Sequence, residues 1–222
     1  MLLGVANYAV CFNNIDVESA TALGIPVSNT PGVLTETSAD LTWALILAAA
    51  RRIPEAHNYM VAGKYKIWGP SLMLGADVGT GVDGRRKVLG IVGYGRIGSA
   101  VARRAMGFDM DVLAYDPHNT AGIDADAKNP AMHVRSATLD ELLAKSDFVS
   151  LHPLLTPETR HMISDAQLAL MKPTAYLVNV ARGPVVDEPA LVRALQRKQI
   201  AGAALDVYED EPLMAPGLAQ CE

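Results

Sequence analysis

The sequence predicts an α/β protein with a doubly wound parallel sheet, and three observations carry that prediction. Short apolar runs alternate with stretches of helical period from Val88 to Val207, as in sheets covered by helices on both faces. The first run, Val88-Leu89-Gly90-Ile91-Val92, leads into the turn Gly93-Tyr94-Gly95-Arg96-Ile97-Gly98, after which Ile97, Ala100, Val101 and Ala105 recur at helical spacing. The second run, Asp111 to Tyr115, ends in an acid, Asp116, 18 residues past Gly98. Strand, glycine turn, helix, strand and acid in this order form a Rossmann-like dinucleotide-binding unit.

Each residue of that unit has a physical task. Gly93 permits the tight bend, Gly95 lets the backbone approach a pyrophosphate, and Gly98 lets the helix lie close to the strand. The helix N-terminus offers free N–H groups and partial positive charge to phosphate. Asp116 can accept hydrogen bonds from both ribose hydroxyls and repels a 2′-phosphate, which favours NAD over NADP. The plainer alternative is that Asp116-Pro117 is a turn after a strand.

Composition narrows the function classes. Of the 222 residues 50% are hydrophobic and 19% charged, and the formal net charge is −5 with no long basic run, so neither nucleic acid nor anionic membrane is an expected partner. The apolar run from Ala44 to Ala50 is too short to span a bilayer. Cys11 and Cys221, far apart, suggest neither a disulfide framework nor a zinc site, and no metal site is expected. A cytoplasmic, reduced protein is the expectation.

Along the chain, a short helix is expected from Val17 to Leu23, ended by Gly24, and a strand from Ile25 to Asn29 that Pro26 marks as an edge strand or as one entered late. After the turn Thr30-Pro31-Gly32, Thr35 or Thr37 is placed to cap one long helix, roughly Ser38 to Ala62, with Asp40 completing a capping box. This helix is apolar around most of its circumference from Leu41 to Ala50, which implies burial or an oligomer contact. Lys64 to Arg86 reads as loop; its apolar patch Leu72-Met73-Leu74 either packs on a partner subunit or folds back on its own domain. Pro117 to Ala137 reads as a polar connection with His118 and His133 at the surface. Then come a helix capped by Thr138 and Glu141, a strand Asp147 to Leu151, a helix boxed by Ser164 and Gln167, a strand Ala175 to Asn179, a helix Glu188 to Gln196, and a fifth strand Ala201 to Val207.

In such sheets ligands lie beyond the carboxyl ends of the strands, which selects Gly93 to Gly98, Asp116, His152-Pro153, Asn179 to Gly183 and Asp206 to Pro212. Arg182 could grip a small carboxylate with its planar fork of donors, or pair with an acid such as Asp187. Asp206 could accept from a nicotinamide carboxamide or cap a turn.

Four separated stretches, Asn29 to Glu36, Gly93 to Gly98, His152 to His161, and Val178 to Glu188 followed by Ala201 to Pro212, together resemble the D-isomer-specific 2-hydroxyacid dehydrogenase family, with a flavour closest to glyoxylate and hydroxypyruvate reductases. The resemblance implies that Arg182 holds the substrate carboxylate and carbonyl, and that Glu211 raises the pKa of a catalytic histidine. It further implies that Arg96 and Ile97 cradle pyrophosphate, that His152 and Pro153 line the cofactor site, that Val180, Ala181 and Arg182 flank the nicotinamide, and that Asp206 meets its carboxamide. Ala9, Val10 and Cys11 lie in a stretch that resembles the loop whose N–H groups meet the substrate carboxylate, although Cys11 replaces the family's usual glycine.

The family's acid/base histidine is expected downstream of Pro212, beyond the last residue here, so a fragment is anticipated: residues 1–29 from a substrate domain, 30–212 an NAD-binding domain, and 213–222 a return toward the substrate domain. The implied cofactor is NAD, the implied substrate a small 2-keto acid, and the implied assembly a homodimer through the Leu41 to Met73 region. An NADH-sensing, corepressor-like protein of the same fold, and a formate or phosphite dehydrogenase, are the competing readings.

Overall fold

A computed structural model describes residues 2–10, 12 and 14–221. Two short strands, β1 (Val5–Ala6) and β2 (Val27–Ser28), pair in parallel around helix α1 (Val17–Ala22). Helices α2 (Thr35–Ala50) and α3 (Ile53–Val61) follow, and then the main unit: β3 (Val88–Val92), α4 (Arg96–Ala105), β4 (Asp111–Tyr115), α5 (Thr120–Ala127), β5 (Val134–Ser136), α6 (Leu139–Lys145), β6 (Phe148–Leu151), α7 (Asp165–Leu170), β7 (Tyr176–Asn179), α8 (Glu188–Gln196) and β8 (Gly202–Leu205).

Six strands form one parallel sheet in the order β5-β4-β3-β6-β7-β8. The chain winds outward from β3 to β5, then crosses back to β6, so the order reverses beside β3 and leaves a crevice at the carboxyl edge. Alternate residues face opposite layers. Leu89, Ile91, Val112 and Ala114 join a core with α2 and α4, whereas Val92, Leu113, Val149 and Leu151 join a second core with α6 and α8.

Three expectations change, and one of two open alternatives finds support. The helix expected over 38–62 is two helices, broken where Arg52 adopts a left-handed φ of 54°. Pro54, in the first turn of α3, has no N–H to continue the ladder, and the Ala50 carbonyl instead accepts from Ala76 N at 2.7 Å. Neither Thr35 nor Thr37 caps α2, because the N-cap is Leu34 and makes no side-chain cap bond. The polar connection over 117–137 contains α5 and β5, which gives the sheet six strands instead of five; β5 is a three-residue edge strand, and α5 has one buried residue, Ile123, so neither leaves a periodic signal. Part of the 64–86 loop folds back: a Cβ at Gly75 would lie 2.3 Å from Ala50 O and one at Gly79 2.2 Å from Phe108 O.

Helix α2 is docked on the main unit through Trp43, which stacks on Phe108 at 4.3 Å and donates from Nε1 to Val101 O at 3.1 Å. Arg104 of α4 reaches Glu36 and Asp40. Among the described residues no helix is long and apolar enough to cross a membrane.

Candidate active site at the carboxyl edge of the sheet

The strand register builds the site. Val92 pairs with both Tyr115 and Leu151, Leu151 with Asn179, and Asn179 with Leu205. The next residue on each strand is therefore Gly93, Asp116, His152, Val180 or Asp206, and these five stand in one row along the carboxyl edge. All five lie among the strand-end positions selected from the sequence.

The glycine turn has the geometry its residues require. Gly93 has φ 89°, and a Cβ there would lie 2.6 Å from the His152 carbonyl carbon. At Gly98 a Cβ would lie 2.2 Å from Gly93 O, so helix and turn touch backbone to backbone. A Cβ at Gly95 meets nothing within 4 Å, because that face opens outward. Gly95 is the N-cap of α4 and supplies no side-chain cap, which leaves the first N–H groups of the helix facing outward beside exposed Arg96 and half-buried Ile97.

Asp116 lies against this turn: its Oδ2 accepts from Tyr94 N at 2.8 Å and its Oδ1 from His118 N at 2.9 Å. Each oxygen keeps a lone pair for a further donor. A concavity of about 420 Å³ opens beside it, lined by Tyr115, Asp116, Pro117, Ser136, Thr138 and Glu141 among others. A larger one of about 470 Å³, lined by Arg52, Tyr59, Trp68 and Leu72, lies on the α3 side, away from the strand ends.

On the other side of Gly93, the His152 ring accepts or donates at 2.9 Å to Ser150 Oγ, and burial pushes its imidazole down to about 3, so it is neutral. Pro153 follows it, half-buried, against Gly93. At the end of β7, Asn179 organises the next loop: its Oδ1 accepts from Ala181 N at 3.0 Å and its Nδ2 donates to Arg182 O at 3.0 Å. Val180, Ala181 and Arg182 are half-buried there, and Arg182 Nη1 donates to Ala181 O at 2.7 Å. Asp187 caps α8 by accepting from Ala190 N at 2.9 Å.

Beyond β8, Asp206 and Glu211 are exposed, and Glu211 accepts from Tyr208 N at 3.1 Å. The segment that carries them is clamped from beneath by Glu188, 3% exposed, whose two oxygens accept from Glu209 N at 2.7 Å and Ala215 N at 3.0 Å. Glu209 also faces His161 at 2.5 Å and Arg160 at 3.0 Å. Gly183 allows this packing, because a Cβ there would overlap Tyr208 O at 1.8 Å.

The N-terminal loop joins the same region through its backbone. Asn29 Nδ2 donates to Val10 O at 2.7 Å and Thr30 N to Ala9 O at 3.0 Å, while a Cβ at Gly32 would lie 4.0 Å from Arg96 Nη1. Cys11 lies outside the described residues. The sequence reading places Asn29, Asn179 and Glu188 within its motif stretches but assigns none of them a role. Asn after a strand is a visible signal for a turn-forming side chain, but a glutamate in the first turn of a helix reads as solvated until its burial is known.

Residues 43–222 match the profile of the D-isomer specific 2-hydroxyacid dehydrogenase, NAD binding domain. The chain belongs to that family. It is 53% identical over 210 residues to a glyoxylate reductase of Korarchaeum cryptofilum, covering 94% of this chain and 60% of that protein. It is 42% identical over 226 residues to the peroxisomal glycerate dehydrogenase HPR of Arabidopsis thaliana, covering 96% of this chain and 57% of that one. Among solved structures it resembles the D-lactate dehydrogenase of Aquifex aeolicus complexed with NAD and lactic acid, with TM-score 0.82, 37% identity, and coverage of 94% of this chain and 58% of that one. The chain thus spans about 60% of the length of the first of these relatives. The family's cofactor, NAD, fits what the turn offers: an open face at Gly95, uncapped helix N–H groups, and an oriented carboxylate at Asp116.

Proposed function

We propose that this chain is the NAD(H)-binding part of a reductase that converts a small 2-keto acid, glyoxylate or hydroxypyruvate, into the 2-hydroxy acid. Its dihydronicotinamide, when bound, supplies hydride to the keto carbon, and a proton must reach the carbonyl oxygen. The outward N–H groups at Arg96 and Ile97 hold the pyrophosphate, with Gly93, Gly95 and Gly98 giving the approach, and Asp116 accepts from the ribose. Val180, Ala181 and Arg182 wall the nicotinamide from one side and His152 and Pro153 line the crevice from the other, with Asp206 accepting from the carboxamide. Arg182 pairs with the substrate carboxylate and polarises the carbonyl, assisted by N–H groups of the loop at Ala9, Val10 and Cys11. Glu211 supports a protonated histidine as the proton donor. Residues 1–29 belong with the substrate domain, residues 30–212 form the cofactor domain, and residues 213–222 lead back toward the first.

The in-register row of Gly93, Asp116, His152, Val180 and Asp206 carries this reading, with Arg182 two residues beyond the row. A second copy of the chain is the proposed partner through the Leu41 to Met73 region, and the cytoplasm is the proposed compartment. The test is oxalate binding to the NADH-loaded protein. R182Q is expected to weaken oxalate roughly tenfold or more, the worth of a charge-assisted pair, and oxalate affinity equal to that of the parent protein contradicts the assignment of Arg182.

A further inference from the structure

Tyr94 stands between the first two glycines of the phosphate turn, where its neighbours are chosen for lacking a side chain, yet it is large and only 1% exposed. Its ring joins the core beside Ile123, and its hydroxyl donates to Asp126 Oδ2 of α5 at 2.7 Å. Burial and the adjacent Asp126 carboxylate push the phenol up, so it stays a donor. Its backbone is used as fully: Tyr94 N donates to Asp116 Oδ2 at 2.8 Å, and Tyr94 O accepts from Asn119 Nδ2 at 2.6 Å. Asn119 is also the N-cap of α5, its Oδ1 accepting from Gly122 N at 3.2 Å. One residue therefore ties the phosphate turn, the acid and α5 together. Ile123 is the one buried residue of helix α5.

We propose that Tyr94, latched to α5 through Asp126 and Asn119, is a positioning residue that aims Asp116 and thereby sets the preference for NAD over NADP. The reasoning is geometric and rests on the cofactor reading above. A carboxylate discriminates against a 2′-phosphate only if it cannot turn away from it. Asp116 has one oxygen on the Tyr94 amide and the other on the His118 amide, so its plane is set by the turn that α5 holds. Loosening the latch leaves Asp116 present but free to swing aside, which relaxes discrimination as well as affinity.

The test compares NADH and NADPH dissociation constants, by nucleotide fluorescence, for the parent chain, Y94F, D126A and D126N. Y94F, which keeps the ring, is expected to weaken NADH about 2- to 10-fold, the worth of one hydrogen bond, and to lower the NADPH-to-NADH ratio of dissociation constants about 3-fold or more. D126A should behave like Y94F, and D126N, whose amide oxygen still accepts the phenol proton, should restore most of the discrimination. Amide hydrogen exchange in α5 should speed up in Y94F and D126A. If Y94F does not fold, D126A and D126N carry the comparison. Parent values of the ratio in Y94F or D126A, or equal weakening of both nucleotides, overturn the proposal. Failure of the parent chain to bind NADH would instead overturn the cofactor reading on which it rests.

Discussion

Gly95 and Gly98 lie three residues apart and make opposite predictions. At Gly98 a methyl group would meet Gly93 O at 2.2 Å, so G98A must move the helix off the turn and should cost about 1–3 kcal/mol of folding stability along with nucleotide affinity. At Gly95 the same methyl group meets nothing in the protein, and φ of −83° suits alanine, so G95A should unfold in urea like the parent while binding NADH more weakly. A G95A protein with parental NADH affinity would mean that the turn does not face the pyrophosphate. These two glycines were legible in the sequence because their roles are steric and local. Tyr94, between them, was not, because its partners Asp126 and Asn119 come from a helix with no periodic signal. His152 adds a pH dependence. Burial depresses its folded pKa to about 3, so between the ordinary histidine value and about 3 the unfolded chain binds a proton that the folded chain refuses. Stability should therefore fall as pH drops through that window, and H152N should lose less between pH 6.5 and pH 4 in urea titrations; equal losses would show that the ring is not buried neutral.

At the scale of elements, strands β3, β4, β6, β7 and β8 and helices α4, α6, α7 and α8 fall close to where the residue pattern puts them. Capping residues such as Ser164 and Asp187 mark their starts, and alternate burial on two faces makes their apolar runs continuous. The break at Arg52 and the edge strand β5 fall outside that logic. A single proline decided the first, and a three-residue strand has too few positions to show a period. The consequence of the break is α3, an amphipathic helix with no buried residue, which leaves Met60 56% and Val61 74% exposed beside Ile67 and Trp68. These exposed apolar side chains are the proposed contact with a second copy of the chain. Sedimentation of W68E/V61E should show monomer where the parent shows dimer; a monomeric parent at micromolar concentration would remove the dimer proposal.

Taken as a whole molecule, the chain brings residues from five strand ends to one edge because parallel pairing in common register leaves no other place for them. This much follows from the alternation of strands and helices alone. What the alternation could not reveal is how the loops beyond that edge are held: Glu188 beneath the 209–215 segment, Asn179 within the Arg182 loop, and Asn29 against the loop at Val10. Glu188 and Asn29 are satisfied by backbone 19 to 27 residues away, so their meaning appears only after folding, whereas Asn179 bonds backbone two and three residues on and is a local turn-former.

Titration of the 222-residue protein with NADH and with NADPH, followed by nucleotide fluorescence, is the most direct test of a dinucleotide lying on the Gly93 turn beside Asp116. NADH should bind and NADPH should bind at least roughly tenfold more weakly, with D116A bringing the two together. No NADH binding, or a preference that is unchanged in D116A, would contradict it.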